Sequence, residues 1–136
     1  MRTLRYSPAT SARVWYAAVR QLQEEHGLLP GPEWHLLVPE ERCWYVRHAE
    51  RALLGMLPRE VHGAWRADLT GDPDPSARWQ PGPEADHVKR THPDLERWDD
   101  LPGDARSRFR LLQLIAVGLH VVLPDPVGGS SRIAVT

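Results

Sequence analysis

Apolar residues recur at helical spacing in four stretches of this chain. In the first, Ala12, Trp15, Tyr16, Val19 and Leu22 share one face. Ser7 suits the N-cap there, Pro8 the first helical position, and Gly27 a left-handed stop. The second stretch spans residues 39–54, with Cys43, Val46, Ala49 and Leu53 as its inward stripe and Gly55 at its end. The third is opened by Pro58, carries Val61, Trp65 and Leu69 at four-residue steps, and stops at Gly71. In the fourth, Asp100 is the expected cap, Leu101 a staple, and Pro102 falls in the first turn. Its stripe is Ala105, Phe109, Leu112, Ile115, Ala116 and Leu119.

Between these helices the period fails. Residues 28–39 are punctuated by Pro30, Gly31, Pro32 and Pro39, with Trp34 expected to plug onto the core. Residues 72–100 hold two turn signals, Asp72-Pro73-Asp74-Pro75 and Pro81-Gly82-Pro83. The stretches near Arg78-Trp79-Gln80 and His87-Val88-Lys89 read as the arms of a small hairpin. The expectation is a mainly α fold: a small bundle of about four helices, with a short antiparallel β-hairpin between the third and last helices. Residues 1–9 form an N-terminal lead, 10–123 the domain, and 124–136, with Gly128-Gly129-Ser130-Ser131, a flexible C-terminal tail.

Composition narrows the function classes. A chain of 136 residues is the size of one domain, and 41% hydrophobic residues support a modest core. A net charge of −1 lacks the basic field that non-specific nucleic-acid binding needs. The longest apolar run, residues 111–123, is interrupted by Gln113, Gly118 and His120 and is too short to span a bilayer. No signal-peptide run opens the chain, and a single cysteine, Cys43, placed in an apolar pattern, reads as a buried free thiol. A cytoplasmic location is expected, with no nucleic-acid or membrane partner. Nearly all cations are arginine, which reads as coding bias. Six tryptophans against one phenylalanine are unusual: such rings either fill a core or line a pocket.

A series of short motifs then brings a family into view. His62-Gly63-Ala64-Trp65 matches H-x-x-W, and Trp79-Gln80-Pro81-Gly82 is similar to W-x-Y-G. Arg90-Thr91-His92-Pro93-Asp94-Leu95 resembles K-x-H-P-x-L, and Trp98-Asp99-Asp100-Leu101-Pro102 resembles the aromatic-x-x-L-P that opens a last helix. In order and spacing, over roughly residues 10–121, the chain resembles the RyR domain, the repeat of the ryanodine-receptor calcium channel, in its bacterial or phage form. It departs from that pattern at Tyr16, where histidine is frequent, at Pro81, and at Arg108-Phe109, where Lys-Asp is usual. The resemblance implies a helical, non-enzymatic domain that binds a nucleotide or nucleotide-derived small molecule.

The candidate ligand contacts are Tyr16, Arg20, His62, Trp65, Trp79, Arg90 and His92. Trp65 or Trp79 would stack on a base, with Arg90 or Lys89 nearby for a phosphate. Each has a plain structural alternative. Trp65 packs in the core, His62 braces a turn carbonyl, His92 locks the turn before Pro93, and Trp79 caps the core. No metal site is expected, because His87 and His92 are badly spaced and Asp72, Asp74 and Asp86 do not make a calcium loop. No catalytic motif is present, and Glu24-Glu25 and Glu40-Glu41 read as solvated helix surface. A second class stays open: a protein-interaction or accessory structural module of a phage or mobile element. It would work through an exposed apolar patch or a homodimer face, with Trp44 and Tyr45 as candidates.

Overall fold

The computed structural model of the chain describes residues 2–5, 7–118 and 120–123. Strand β1 (Arg2–Arg5) leads into helix α1 (Pro8–Glu25). Helices α2 (Pro39–Leu53) and α3 (Pro58–Thr70) follow. The short strands β2 (Gln80–Pro81) and β3 (Thr91–His92) lie between α3 and α4 (Gly103–Gly118), and β4 (His120–Leu123) comes last. The fold is the expected small helical bundle. Helices α1 and α3 each pack against both α2 and α4.

The helix ends follow the residues that punctuate them. Ser7 Oγ accepts from the Thr10 amide at 3.2 Å, and Pro8 opens α1. Pro39 and Pro58 open α2 and α3, and Glu60 Oε1 accepts from the Leu57 amide at 2.9 Å. Gly27 (φ 71°) and Gly55 (φ 90°) supply the left-handed turns after α1 and α2. Asp100 does not cap α4; it lies in a 3₁₀ turn, Trp98–Asp100, because Pro102 restricts Leu101 to extended backbone and delays the helix.

The buried stripes of α1 and α4 are close to expectation. Ala12, Trp15, Tyr16 and Val19 are buried on α1, and Ala105, Phe109, Leu112 and Ala116 on α4; Leu119 lies outside the described residues. Helix α2 is turned by about one residue from its expected phase. It buries Trp44, His48, Ala49 and Ala52, while Cys43 is exposed. The larger aromatic surface of Trp44 outweighs that of a cysteine, and one imidazole goes inside as the consequence. Trp44 is therefore core and not an interaction patch. Trp34 packs against the core as expected.

The small sheet differs in direction. Gln80 and Pro81 pair with Thr91 and His92 in parallel, and Asp86 makes an isolated antiparallel bridge to Thr91. The expected hairpin has one reversal, whereas the chain makes two. The first follows Pro81-Gly82-Pro83. The second is a tight turn in which Asp86 Oδ1 accepts from the amides of Val88 and Lys89, both at 2.9 Å, and Arg90 takes the left-handed region (φ 55°). Residues 87–89 are thus a turn rather than a strand. Neither β1 nor β4 was expected. They pair antiparallel, Arg2 with Leu123 through Arg5 with His120, so the lead joins the fold. The expected tail, 124–136, lies outside the described residues.

Candidate functional site

Seven proposed contacts fall into two groups. Four of them work as braces. His62 is buried on α3, and its Nε2–H donates to the Asp94 carbonyl at 2.7 Å. One turn later Arg66 Nε donates to the Leu95 carbonyl at 2.9 Å. Arg20 Nε donates to the Gly31 carbonyl at 2.9 Å and so holds the connection after α1. Trp79 is 4% exposed, with its ring 4.9 Å from that of Trp44 at a steep angle. Arg90 lies 5.8 Å from the Trp79 ring centroid and 3.9 Å from a Glu40 carboxylate oxygen. None of His62, Arg20, Trp79 and Arg90 reaches a cavity described below.

The other three, Tyr16, Trp65 and His92, line one cavity of about 260 Å³. It is walled by Trp15 and Tyr16 of α1, by Gly31, Pro32 and Leu37 of the connection, and by Glu41, Trp44, Tyr45 and His48 of α2. Trp65, the 92–94 turn, Arg108 and Phe109 close it. The rings meet at angles that leave faces and edges inward: Trp15 and Tyr45 lie 5.2 Å apart edge to face, Tyr16 and Tyr45 5.4 Å apart and tilted. The Trp65 and His92 rings stand 5.2 Å apart, nearly perpendicular.

Most polar groups at the cavity wall are already engaged. Tyr16 Oη donates to the Pro32 carbonyl at 2.6 Å, and Trp15 Nε1 to the Arg108 carbonyl at 2.8 Å. His92 Nδ1 accepts from the Asp94 amide at 3.0 Å, which is the turn lock. That bond fixes a neutral ring with its proton on Nε2. Arg108 pairs with Asp94 at 2.8 Å. Four groups are not engaged: among the described residues the Glu41 carboxylate and the Tyr45 hydroxyl have no hydrogen-bond partner, and neither do the buried His48 Nδ1 and Trp65 Nε1.

Glu41 and Tyr45 both feel the low-dielectric surroundings. Burial, then the neighbouring Glu40, raises the Glu41 carboxyl, and His87 partly offsets this. Burial, then Glu41 and Tyr16, drives the Tyr45 phenol far up, so it stays a neutral donor. His48 is pushed down to about 3, by burial first and then by the charges of Arg51, His62 and His92. Burial is also the main cause of the lowered His62 and His92. At neutral pH the imidazoles and phenols of the wall are therefore uncharged, and its charged groups are Glu41 and the Arg108–Asp94 pair.

Glu41, Tyr45 and His48 were not among the expected ligand contacts: Glu41 was assigned to solvent and Tyr45 to an interaction face. Their signal is a spacing of four and three residues, which puts them on one face of a helix. Finding it required the correct phase of α2. Among the described residues, no group of three or more histidine, cysteine or acidic side chains is placed to hold a metal, and no helix is long and apolar enough to cross a membrane.

No protein-family model, curated protein or solved structure matches this chain.

Proposed function

We propose that this chain is a non-enzymatic ligand-binding module of the ryanodine-receptor-repeat kind, and that its site is the cavity between α1, α2 and the 92–94 turn. The ligand is a small molecule with a flat ring, of the nucleotide-derived class that the resemblance implies. One observation carries the reading: an aromatic-walled cavity of about 260 Å³ whose wall keeps the buried Trp65 Nε1 and His48 Nδ1 unpaired, with a carboxylate and a phenol beside them. Ligand sites generally combine apolar walls with a few convergent polar groups, and this volume lies at the small end of their range. The buried indole N–H and imidazole nitrogen favour a partner, because leaving a buried polar atom unpaired costs free energy.

The test is a thermal-shift screen of nucleosides, nucleotides and cyclic nucleotides, followed by titration of tryptophan fluorescence. Trp15, Trp44 and Trp65 line the site, so occupancy is expected to change their emission. A saturable rise in melting temperature that Glu41→Gln or Tyr45→Phe weakens supports the reading. No shift across the panel rejects it.

A second reading has its own observation. Leu114 (68% exposed) and Val117 (64%) stand out from α4, and Leu28 and Leu29 are exposed after α1. Such side chains suit a protein partner or a second copy of the chain, as an accessory module of a phage or mobile element would need. Sedimentation that shows a dimer, broken by Leu114→Glu, would favour it.

A further inference from the structure

Resting on the cavity as the ligand site, we infer that it selects a planar ring with two adjacent N–H donors, of the guanine type, through the carboxylate of Glu41. The charges that remain free at the cavity decide the kind of ligand it can take. Among the described residues the arginine that lines the cavity, Arg108, is paired with Asp94, and Arg90 lies between the Trp79 face and Glu40. A polyphosphate would meet no free cation at the cavity wall and would face the Glu41 carboxylate. A nucleobase or nucleoside meets neither difficulty.

The choice of base follows from the same carboxylate. An ionised carboxylate only accepts, and its two oxygens take two parallel N–H donors in a fork. Guanine offers that pair, its ring N1–H beside the 2-amino group. Hypoxanthine keeps the N1–H and lacks the amino group. Adenine turns a lone pair at N1 toward the carboxylate, which is repulsive. Tyr45 sits one turn further along the same face of α2, and its hydroxyl is kept protonated, so it can donate to a ring carbonyl beside the N1–H. The aromatic walls supply faces for a flat ring, and about 260 Å³ matches a base better than a base with its phosphates.

Specificity of this kind is steep, because a site built to pair a donor leaves its own acceptor unpaired when the donor is missing. The experiment is isothermal titration of the full chain with guanosine, inosine and adenosine, repeated with Glu41→Gln. Guanosine is expected to bind saturably, with inosine roughly tenfold or more weaker and adenosine weaker still. Glu41→Gln, with its melting temperature checked, is expected to cut the guanosine preference about tenfold or more and to change inosine less. Adenosine binding as tightly as guanosine overturns the inference and leaves the cavity reading standing. So does a guanosine preference that survives Glu41→Gln. Should that variant not fold, the nucleoside series on the unaltered chain decides alone. No saturable binding by any of the three, or by their nucleotides, overturns the inference and the cavity reading together.

Discussion

Where α3 meets the 92–95 turn, histidine and arginine side chains end on backbone. His62 and Arg66 hold the carbonyls of Asp94 and Leu95, and His92 takes the Asp94 amide. Around the cavity, the Glu41 carboxylate, the Tyr45 hydroxyl, His48 Nδ1 and Trp65 Nε1 have no protein partner among the described residues. Both regions are rich in aromatic rings and hold histidine, and by residue type they look alike. What separates them is whether the hydrogen-bonding capacity has been used. A buried polar network that is fully satisfied fixes a conformation; one with capacity left over invites a ligand.

The ring shared by the two regions should break hardest. Trp65 is 4% exposed and contacts the rings of Trp44, His48, His62 and His92. Trp65→Ala removes the ring that joins the two regions and leaves a cavity behind. A loss of about 3–5 kcal/mol is expected in urea denaturation. A loss under about 1 kcal/mol would mean the region is loosely packed and the contrast drawn above is wrong. A smaller cost isolates the brace itself. His62→Leu keeps an apolar body of similar size but leaves the Asp94 carbonyl without its donor, for an expected loss of about 1–3 kcal/mol.

How much of this contrast was legible in the chain depended on local against distant signals. Helix starts at Pro8, Pro39 and Pro58, and stops at Gly27 and Gly55, are set by backbone geometry within a turn, and the sequence carries them openly. The phase of α2 was not legible in the same way. Cys43 and Val46 make as regular a stripe as Trp44 and His48, and a histidine counts as polar until the fold shows it buried and neutral. The pairing of β1 with β4 brings opposite ends of the described chain together, and no local pattern announces it. The two reversals in residues 81–90 hinge on Asp86 holding two amides, which a reading of arms and turns compresses into one. The cavity depends on α2 phase, so Glu41 was lost with it.

Acid should sharpen the comparison, because the histidines are held neutral on both sides. His48 is pushed down to about 3, and His62 and His92 are lowered too. The unfolded chain protonates these rings below about pH 6.5, so it binds more protons than the folded one. The stability they contribute is complete above that pH and drains away as pH falls toward 3. Glu41 works in the opposite sense, since its raised carboxyl favours the folded state as it protonates. The net expectation is a decline of up to about 1.4 kcal/mol per pH unit from His48 between pH 6 and 5, with His62 and His92 adding in the same direction, read from melting temperature. A melting temperature flat from pH 7 to 5 would mean that the rings reach solvent.

The smallest expected effect on stability is the most informative about the cavity. Tyr45→Phe removes a hydroxyl that has no partner among the described residues and keeps the ring that packs on Trp15 and Tyr16. Removing a hydrogen-bonded phenol usually costs about 1 kcal/mol or more, whereas an unpaired one costs nothing to lose. The change in unfolding free energy should therefore lie within about 0.5 kcal/mol of zero, or be slightly stabilising. On the braced side the equivalent deletion, His62→Leu, is expected to be plainly destabilising. If Tyr45→Phe costs as much as His62→Leu, the hydroxyl is as fully spent as the imidazole. The two regions would then be one continuous core, and the cavity would lose its claim to be a site. If the stability holds while nucleoside binding weakens, the hydroxyl's partner is the ligand.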